Sequence, residues 1–427
     1  MSSPRPPAVS GLGILRTLRF GGVLPAPLRR PSFRRLWVGM SLSYAGDRFQ
    51  VLAQGWLVAT ITQSALGVGL ISALGLLPLL LLPIGGAIVE RMDRRRTLLV
   101  IQLAGAGVTA LVTGLVLTGH FALWHIYAWS LLNGLGTLLA RPAYKVVLTE
   151  AVPPDELRSA VAINSVSETA SLTLTNAGGS LILAWLGLPV AFLLNTVSYL
   201  VAALSLWSLP AIGHLPVDDR HRLTPRVVLS DLRDGVRYLI RRPEIFHPLL
   251  LTFATIALAG PIVAVLPAIV QAVGGSIVDL GVLAAGMNLG GLGGAAFAGT
   301  HSEGASATRL YALMGLVAAL AVALFVWLPT GIAQFVALAA IGFVAFAQAV
   351  WNTSRIRQLA DPPYQARLQA ITSMAFTLGF LAGALWAGVA IDQQGNSGLL
   401  LGAAVLAIGS TASLVRVSGT RTTQRAG

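Results

Sequence analysis

Asp47, Arg48 and Glu168 stand in stretches of sequence that leave little room for charge. Each lies well inside an apolar run long enough to cross a bilayer, where a charged side chain costs roughly 2.5–3.5 kcal/mol on insertion scales. A residue kept at that cost faces a cavity or a partner. A carboxylate so placed can take up and release a proton, which would couple solute movement to a proton gradient. The static alternative is an Arg48–Glu168 ion pair with Asp47 hydrogen-bonded beside it. Asp47 and Arg48 are neighbours, so on a helix they point about 100° apart and cannot both face one partner. The sequence leaves the proton carrier and the static pair equally open. The second half has no charge this deep. Asn288, Gln334 and Gln348 offer amides there, which serve either a solute path or hydrogen bonding between helices.

What must position these groups is a set of spanning helices. The 427 residues are 55% hydrophobic and 11% charged, against roughly 25% charged in soluble domains. The mean hydropathy is +0.76, which marks an all-α polytopic membrane protein. Twelve apolar segments can be drawn: 36–61, 65–89, 97–118, 121–142, 157–184, 188–210, 245–272, 277–300, 308–329, 331–353, 366–391 and 397–416. Connections on one side, with both tails, hold 28 of the 29 Lys and Arg residues, and those on the other side hold none. The exception is Arg48. Under the positive-inside rule both termini are cytoplasmic. The expected organisation is a tail over 1–32, a six-helix bundle over 33–210, a linker over 211–244, a second six-helix bundle over 245–416 and a tail over 417–427. A lipid-touching stretch is expected at 14–20. Within the linker, Thr224 and Pro225 suit a helix start, and Val228, Leu232, Val236 and Leu239 make an apolar face opposite Arg233, Arg237 and Arg241. A faint repeat relates the segments from Gly69 and Gly281, as in transporters built from parallel six-helix halves.

The same distribution excludes other classes. Basic residues confined to short connections fit anionic lipid rather than nucleic acid. There is no cysteine, no G-x-x-x-x-G-K-[ST] phosphate loop, and no histidine pair at metal-ligand spacing. Neither an enzyme nor a cofactor or metal is expected. The Gly291–Gly294 run "GLGG" suits helix packing.

One wet burst interrupts the apolar runs: "GGAIVERMDRRRT" from Gly85 to Thr97. Its arginines anchor the loop to an anionic leaflet, at roughly 1 kcal/mol each. Anchoring alone does not call for Glu90 or Asp93. A carboxylate there could sit at a neighbouring helix N-terminus, where the macrodipole favours negative charge.

Gly86, Glu90, Arg91, Arg94, Arg95 and Arg96 keep the register of the loop motif between spans two and three of the major facilitator superfamily, which the chain resembles. Phe33–Trp37, Gly46–Asp47, Trp56–Leu57, Arg141–Pro142–Ala143 and "AVPPDELRSAVAINS" are similar to its branch of enterobactin exporters and transmembrane secretion effectors. The resemblance implies two six-helix bundles and alternating access. It also implies a gating role for Gly86, Glu90, Arg91, Asp93, Arg94 and Arg95, with Glu90 latching onto the start of span eleven. Glu90 replaces the usual Asp, Leu172 and Thr175–Asn176 replace an Arg and a Gly-Pro of relatives, and the second-half copy of the motif has decayed to "GTHSEG". The expected function is proton-coupled export of a small amphipathic solute (a drug, siderophore or secondary metabolite) by a monomer in a bacterial inner membrane. The alternatives are a lipid flippase or scramblase, or a non-transporting sensor, on the same fold.

Overall fold

A computed structural model describes residues 25–209, 225–301, 307–328 and 331–425. Long helices follow the apolar runs, and no strand occurs among the described residues. They are α1 (Pro31–Thr62), α2 (Ala65–Val89), α3 (Arg94–Leu117), α4 (Leu123–Glu150), α5 (157–186), α6 (Leu188–Trp207), α7 (Pro243–Ala272), α8 (Ile277–Thr300), α9 (Ala307–Trp327), α10 (Ile332–Leu359), α11 (Pro362–Gln394) and α12 (Leu399–Arg425). A separate linker helix covers Pro225–Ile240. The stretch 14–20 and Thr224 lie outside the described residues.

Eight stretches are long and apolar enough to cross a membrane, the last of which, Pro362–Val415, holds α11 and most of α12. Helices α1, α4 and α5 are as long but carry more polar residues, and these are the ones that bear the interior charges. Breaks fall where the chemistry demands. Pro78 and Pro83 accompany a 3₁₀ turn at Leu77–Leu81 in α2, and Pro261 sits in the break that divides α7 at 259–261. A π-helical turn occupies Thr175–Gly179 of α5.

Some boundaries differ from the sequence expectation. Helix α1 begins at Pro31, inside the expected tail, and α12 runs on to Arg425. Helix α4 likewise runs on, to Glu150 rather than ending near 142. Arg141 and Lys145, expected in a connection, are therefore helical. Pro142 does not end the helix, because neighbouring helices and side chains can satisfy the backbone that a proline frees.

In the first half α1 packs on α6, α6 on α3, and α4 on α2 and α3; in the second, α8 packs on α10, α9 on α12 and α10, and α7 on α11. Gly290, Gly294 and Gly342 bring α8 and α10 close enough that an added Cβ would meet the carbonyls of Ala339, Phe343 and Met287. The glycine run is thus a packing surface.

The linker helix docks on protein through a face that keeps Leu239 of the expected apolar stripe but leaves Val236 out. Gly235 and Leu239 are buried while Val236 is exposed. Its docking face follows i, i+4, i+7 and i+8. Asp231 meets Arg367 at 2.7 Å, an added Cβ at Gly235 would press on Ile371, and Tyr238 stacks on Tyr364 with ring centroids 4.1 Å apart. The partner is the start of α11, and that contact selects a face shifted from the Val228–Val236 stripe.

At the entry to α1, Arg30 grips Glu156 through two hydrogen bonds of 2.9 and 3.0 Å. The hydrogen bond from Arg30 holds the Glu156 carboxyl below its ordinary value.

Candidate functional site

The interior charges separate into two environments. Asp47 turns toward α6, where Tyr199 donates from its hydroxyl to Asp47 Oδ1 at 2.5 Å and Asn195 donates at 3.4 Å. Asn195 also reaches Gln50 Oε1 at 2.5 Å, and Asn133 on α4 donates to the Tyr199 hydroxyl at 3.0 Å. Gly46 permits this: an added Cβ would collide with Ser198 and Asn195. A network of four polar side chains from α1, α4 and α6 therefore surrounds a single carboxylate.

Arg48 points elsewhere. It is open to solvent, yet protein surrounds it, with Asp47, Arg141, Glu168 and Tyr44 as its charged and titratable neighbours. Beside it, Tyr44 and Tyr144 meet edge to face at 5.8 Å. The Tyr144 hydroxyl donates to Asn164 Oδ1 at 2.8 Å, and Asn164 Nδ2 donates to Glu168 Oε1 at 2.9 Å. The expected Arg48–Glu168 ion pair is absent: no nitrogen–oxygen contact within 4.0 Å joins them among the described residues. Glu168 is exposed and held by Asn164, one turn back on its own helix. Between two hydrated groups an ion pair gains little, about 0–1 kcal/mol, so nothing forces the pairing.

The amides of the second half divide differently. Gln334 donates to the Phe325 carbonyl at 3.0 Å and Gln348 to the Tyr311 carbonyl at 3.3 Å, both buried. The structure places these two as links from α10 to α9. Asn288 on α8 is half-buried and makes no side-chain hydrogen bond among the described residues.

The arginine cluster defines one end of the molecule, called here the arginine-rich end. Asp93 caps α3 through the Arg96 amide at 3.0 Å. Arg94 contacts Glu150 at the end of α4 at 3.2 Å. Arg95 donates to the carbonyls of Leu206 and Trp207 at 2.8 and 2.6 Å, at the C-terminus of α6 where a cation is favoured. These residues thus tie three helix ends together, a role beyond setting topology. Glu90 and Arg91 are exposed, and Glu90 has no hydrogen bond or ion pair to the start of α11 among the described residues. Nothing lies within 4 Å of a Cβ built on Gly86. Residues 82–89 of α2 pack on α4.

At the opposite end α2 and α11 are locked together. The Asp392 carboxylate accepts from Ser64 Oγ at 2.5 Å, from the Ala65 amide at 2.7 Å and from the Leu66 amide at 3.2 Å. It therefore caps the N-terminus of α2 from the far end of α11. The backbones touch beyond it: a Cβ on Gly388 would meet Leu66, and one on Gly69 would meet the Ala384 carbonyl. Gln271 of α7 adds hydrogen bonds to the Trp56 carbonyl and to Thr60 of α1 at 3.0 and 2.9 Å. Sequence reading passed over Asp392, and its only signal was an acid closing an apolar run opposite a Ser N-cap. Arg141 was passed over too, having been placed in a connection.

The described residues form an all-helical apolar bundle, that of a polytopic membrane protein, and its relatives are transporters rather than enzymes. The chain belongs to the transmembrane secretion effector family, whose model matches residues 24–424. It is 25% identical over 393 residues to the enterobactin exporter EntS of Shigella boydii, covering 87% of this chain and 90% of that protein. It is 25% identical to the MFS-type transporter YfiS of Bacillus subtilis over 52% of this chain, and so spans about half (54%) of that relative. Among solved structures it is similar to a peptide transporter in complex with alafosfalin, with a TM-score of 0.70 at 12% identity, covering 95% of this chain and 98% of the other.

Proposed function

We propose that this chain is a proton-coupled exporter of small amphipathic organic solutes working by alternating access. In this reading it has twelve spans in two six-helix bundles, 33–210 and 245–416, joined by the linker 211–244. Both termini and the arginine-rich end are cytoplasmic, and the protein is a monomer of a bacterial inner membrane. The observation that carries the reading is the pair of acids at opposite ends of α2 and α11. Asp392 at the end of α11 caps the start of α2, while Glu90 at the end of α2 has no hydrogen bond or ion pair to the start of α11 among the described residues. The two helices are antiparallel, so each acid would seal one end, and only one seal is made. The similarity to an enterobactin exporter supports outward transport of an organic solute. Inverted membrane vesicles with an imposed pH gradient test it. Gradient-dependent accumulation of at least one solute from an amphipathic panel is expected, and accumulation equal to that of empty vesicles across the panel rejects it.

Gly86 provides a conformational check. Leucine at Gly86 fits the open space of the present state and obstructs approach of α11 in the other. With no cysteine in the chain, spin labels on Met92→Cys and Leu359→Cys report the arginine-rich end directly. Gly86→Leu is expected to remove the short-distance population and leave the long one. An unchanged distribution counts against closure at this surface.

A further inference from the structure

Helix α4 places two basic residues where the transport reading assigns no role. Tyr44 and Tyr144 fix the register between α1 and α4. These helices run antiparallel, since α4 is the third helix after α1. Arg48 is four residues past Tyr44 and Arg141 three before Tyr144. Both arginines therefore stand one turn beyond the tyrosine pair in the same direction and on the tyrosines' faces. Arg141 is a charged neighbour of both Arg48 and Tyr44. The two guanidiniums are solvent-accessible, and neither has a hydrogen bond or ion pair among the described residues. The carboxylates nearby are otherwise engaged: Asp47 with Tyr199 and Asn195, Glu168 with Asn164. Lys145, one turn from Arg141 on the same helix, continues the basic row toward the arginine-rich end.

Two like charges side by side within spanning helices repel each other and resist dehydration. Asp47 and Glu168 lie near Arg48, yet neither guanidinium has a direct ion pair among the described residues. A guanidinium is a planar fork matched to oxyanions, which it can hold by two parallel hydrogen bonds. We propose that Arg48 and Arg141 form an oxyanion-binding site that takes a carboxylate, sulfonate or phosphate group of the solute. The cargo is then an amphipathic anion, its charged group at the arginine pair and its apolar body against Tyr44. This deepens the transport reading and rests on it only in calling the ligand cargo.

Equilibrium binding separates the two ideas. The full chain in zwitterionic lipid nanodiscs is titrated calorimetrically with naphthalene-2-sulfonate and with its neutral counterpart, naphthalene-2-methanol. The wild type is expected to bind the sulfonate at least about tenfold more tightly, as a charge-assisted hydrogen bond allows. Arg48→Gln and Arg141→Gln should each lose about tenfold for the sulfonate with no change for the alcohol. Arg48→Lys and Arg141→Lys, which keep the charge without the fork, should lose less, and they serve wherever a Gln variant shows a lowered melting temperature. Adding phosphatidylglycerol to the discs distinguishes a lipid headgroup from a soluble anion: competition means that a headgroup reaches the same site. The site is rejected if the wild type does not bind the sulfonate saturably, if both probes bind equally, or if the double Gln variant keeps the preference. Charge-selective binding without gradient-driven transport in vesicles would reject the exporter reading and leave the site standing.

Discussion

Asp392→Ala opens the end of the molecule opposite the arginines. The wild-type carboxylate accepts three hydrogen bonds, two of them from backbone amides at the start of α2. Hydrogen bonds to a charged group contribute about 1.5–3 kcal/mol each where solvent is excluded, and a carboxylate at a helix N-terminus gains a further 0.3–2 kcal/mol or so. Asp392 is exposed, so water recovers much of this when the contact breaks. A net loss of about 2–3 kcal/mol is expected, equal to a shift of about 30- to 150-fold between the two arrangements of α2 and α11. Spin labels on Leu117→Cys and Trp327→Cys, at the ends of α3 and α9, report that end. The Asp392→Ala protein should show a longer distance as a major population, and Asp392→Asn, which keeps one acceptor oxygen, an intermediate. Gly388→Leu should act in the same direction, because the leucine meets the α2 backbone at Leu66. If all three variants keep the wild-type distance, the cap is a helix terminator with no part in conformational balance.

The second large effect concerns the half-buried carboxylate of Asp47. Asp47→Asn preserves shape and one acceptor oxygen for Tyr199, so the α1–α6 contact should survive and the protein should remain folded in detergent. What it removes is the ability to bind and release a proton. Transport driven by a pH gradient in inverted vesicles should fall to the level of empty vesicles, while solute exchange without a gradient continues. That split identifies a coupling group, because a merely structural residue would lower both activities together. Glu168→Gln is the matching variant in the wetter environment, where Asn164 alone holds the carboxylate. Full gradient-driven transport in both variants removes the proton-carrier idea. Tyr199→Phe leaves Asp47 with only the longer hydrogen bond from Asn195 and should lower stability by about 1–3 kcal/mol, the scale of one hydrogen bond to a charged group.

Much of the framework was legible before any coordinates. Spanning helices need about 20 apolar residues each, so runs such as 65–89 and 277–300 announced α2 and α8 to the residue. Interior charge was equally legible, since Asp47, Arg48 and Glu168 interrupt runs that are otherwise apolar. Pairing was not. Arg48 and Glu168 looked like natural partners by charge, but Asn164 lies one turn from Glu168 and took its carboxylate, an outcome set by side-chain reach rather than by composition. Arg141 was obscured by Pro142, which reads as a helix end and proved to sit mid-helix. The arginine cluster reversed part of its reading: Asp93 is an N-cap, while Arg94 and Arg95 fasten α3 to α4 and α6.

By itself the sequence determined the membrane class, the positions of most helices and the family, because hydrophobic length, charge distribution and a loop motif are largely local properties. Only the tertiary structure decided which of two distant acids was engaged. Asp392 and Ser64 are 328 residues apart, and Glu90 and the start of α11 are nearly as remote. In the alternating-access reading proposed above, which pair meets depends on how the two groups of helices tilt against each other. That tilt is a balance of a few kcal/mol spread over many contacts, and no single stretch of sequence records it.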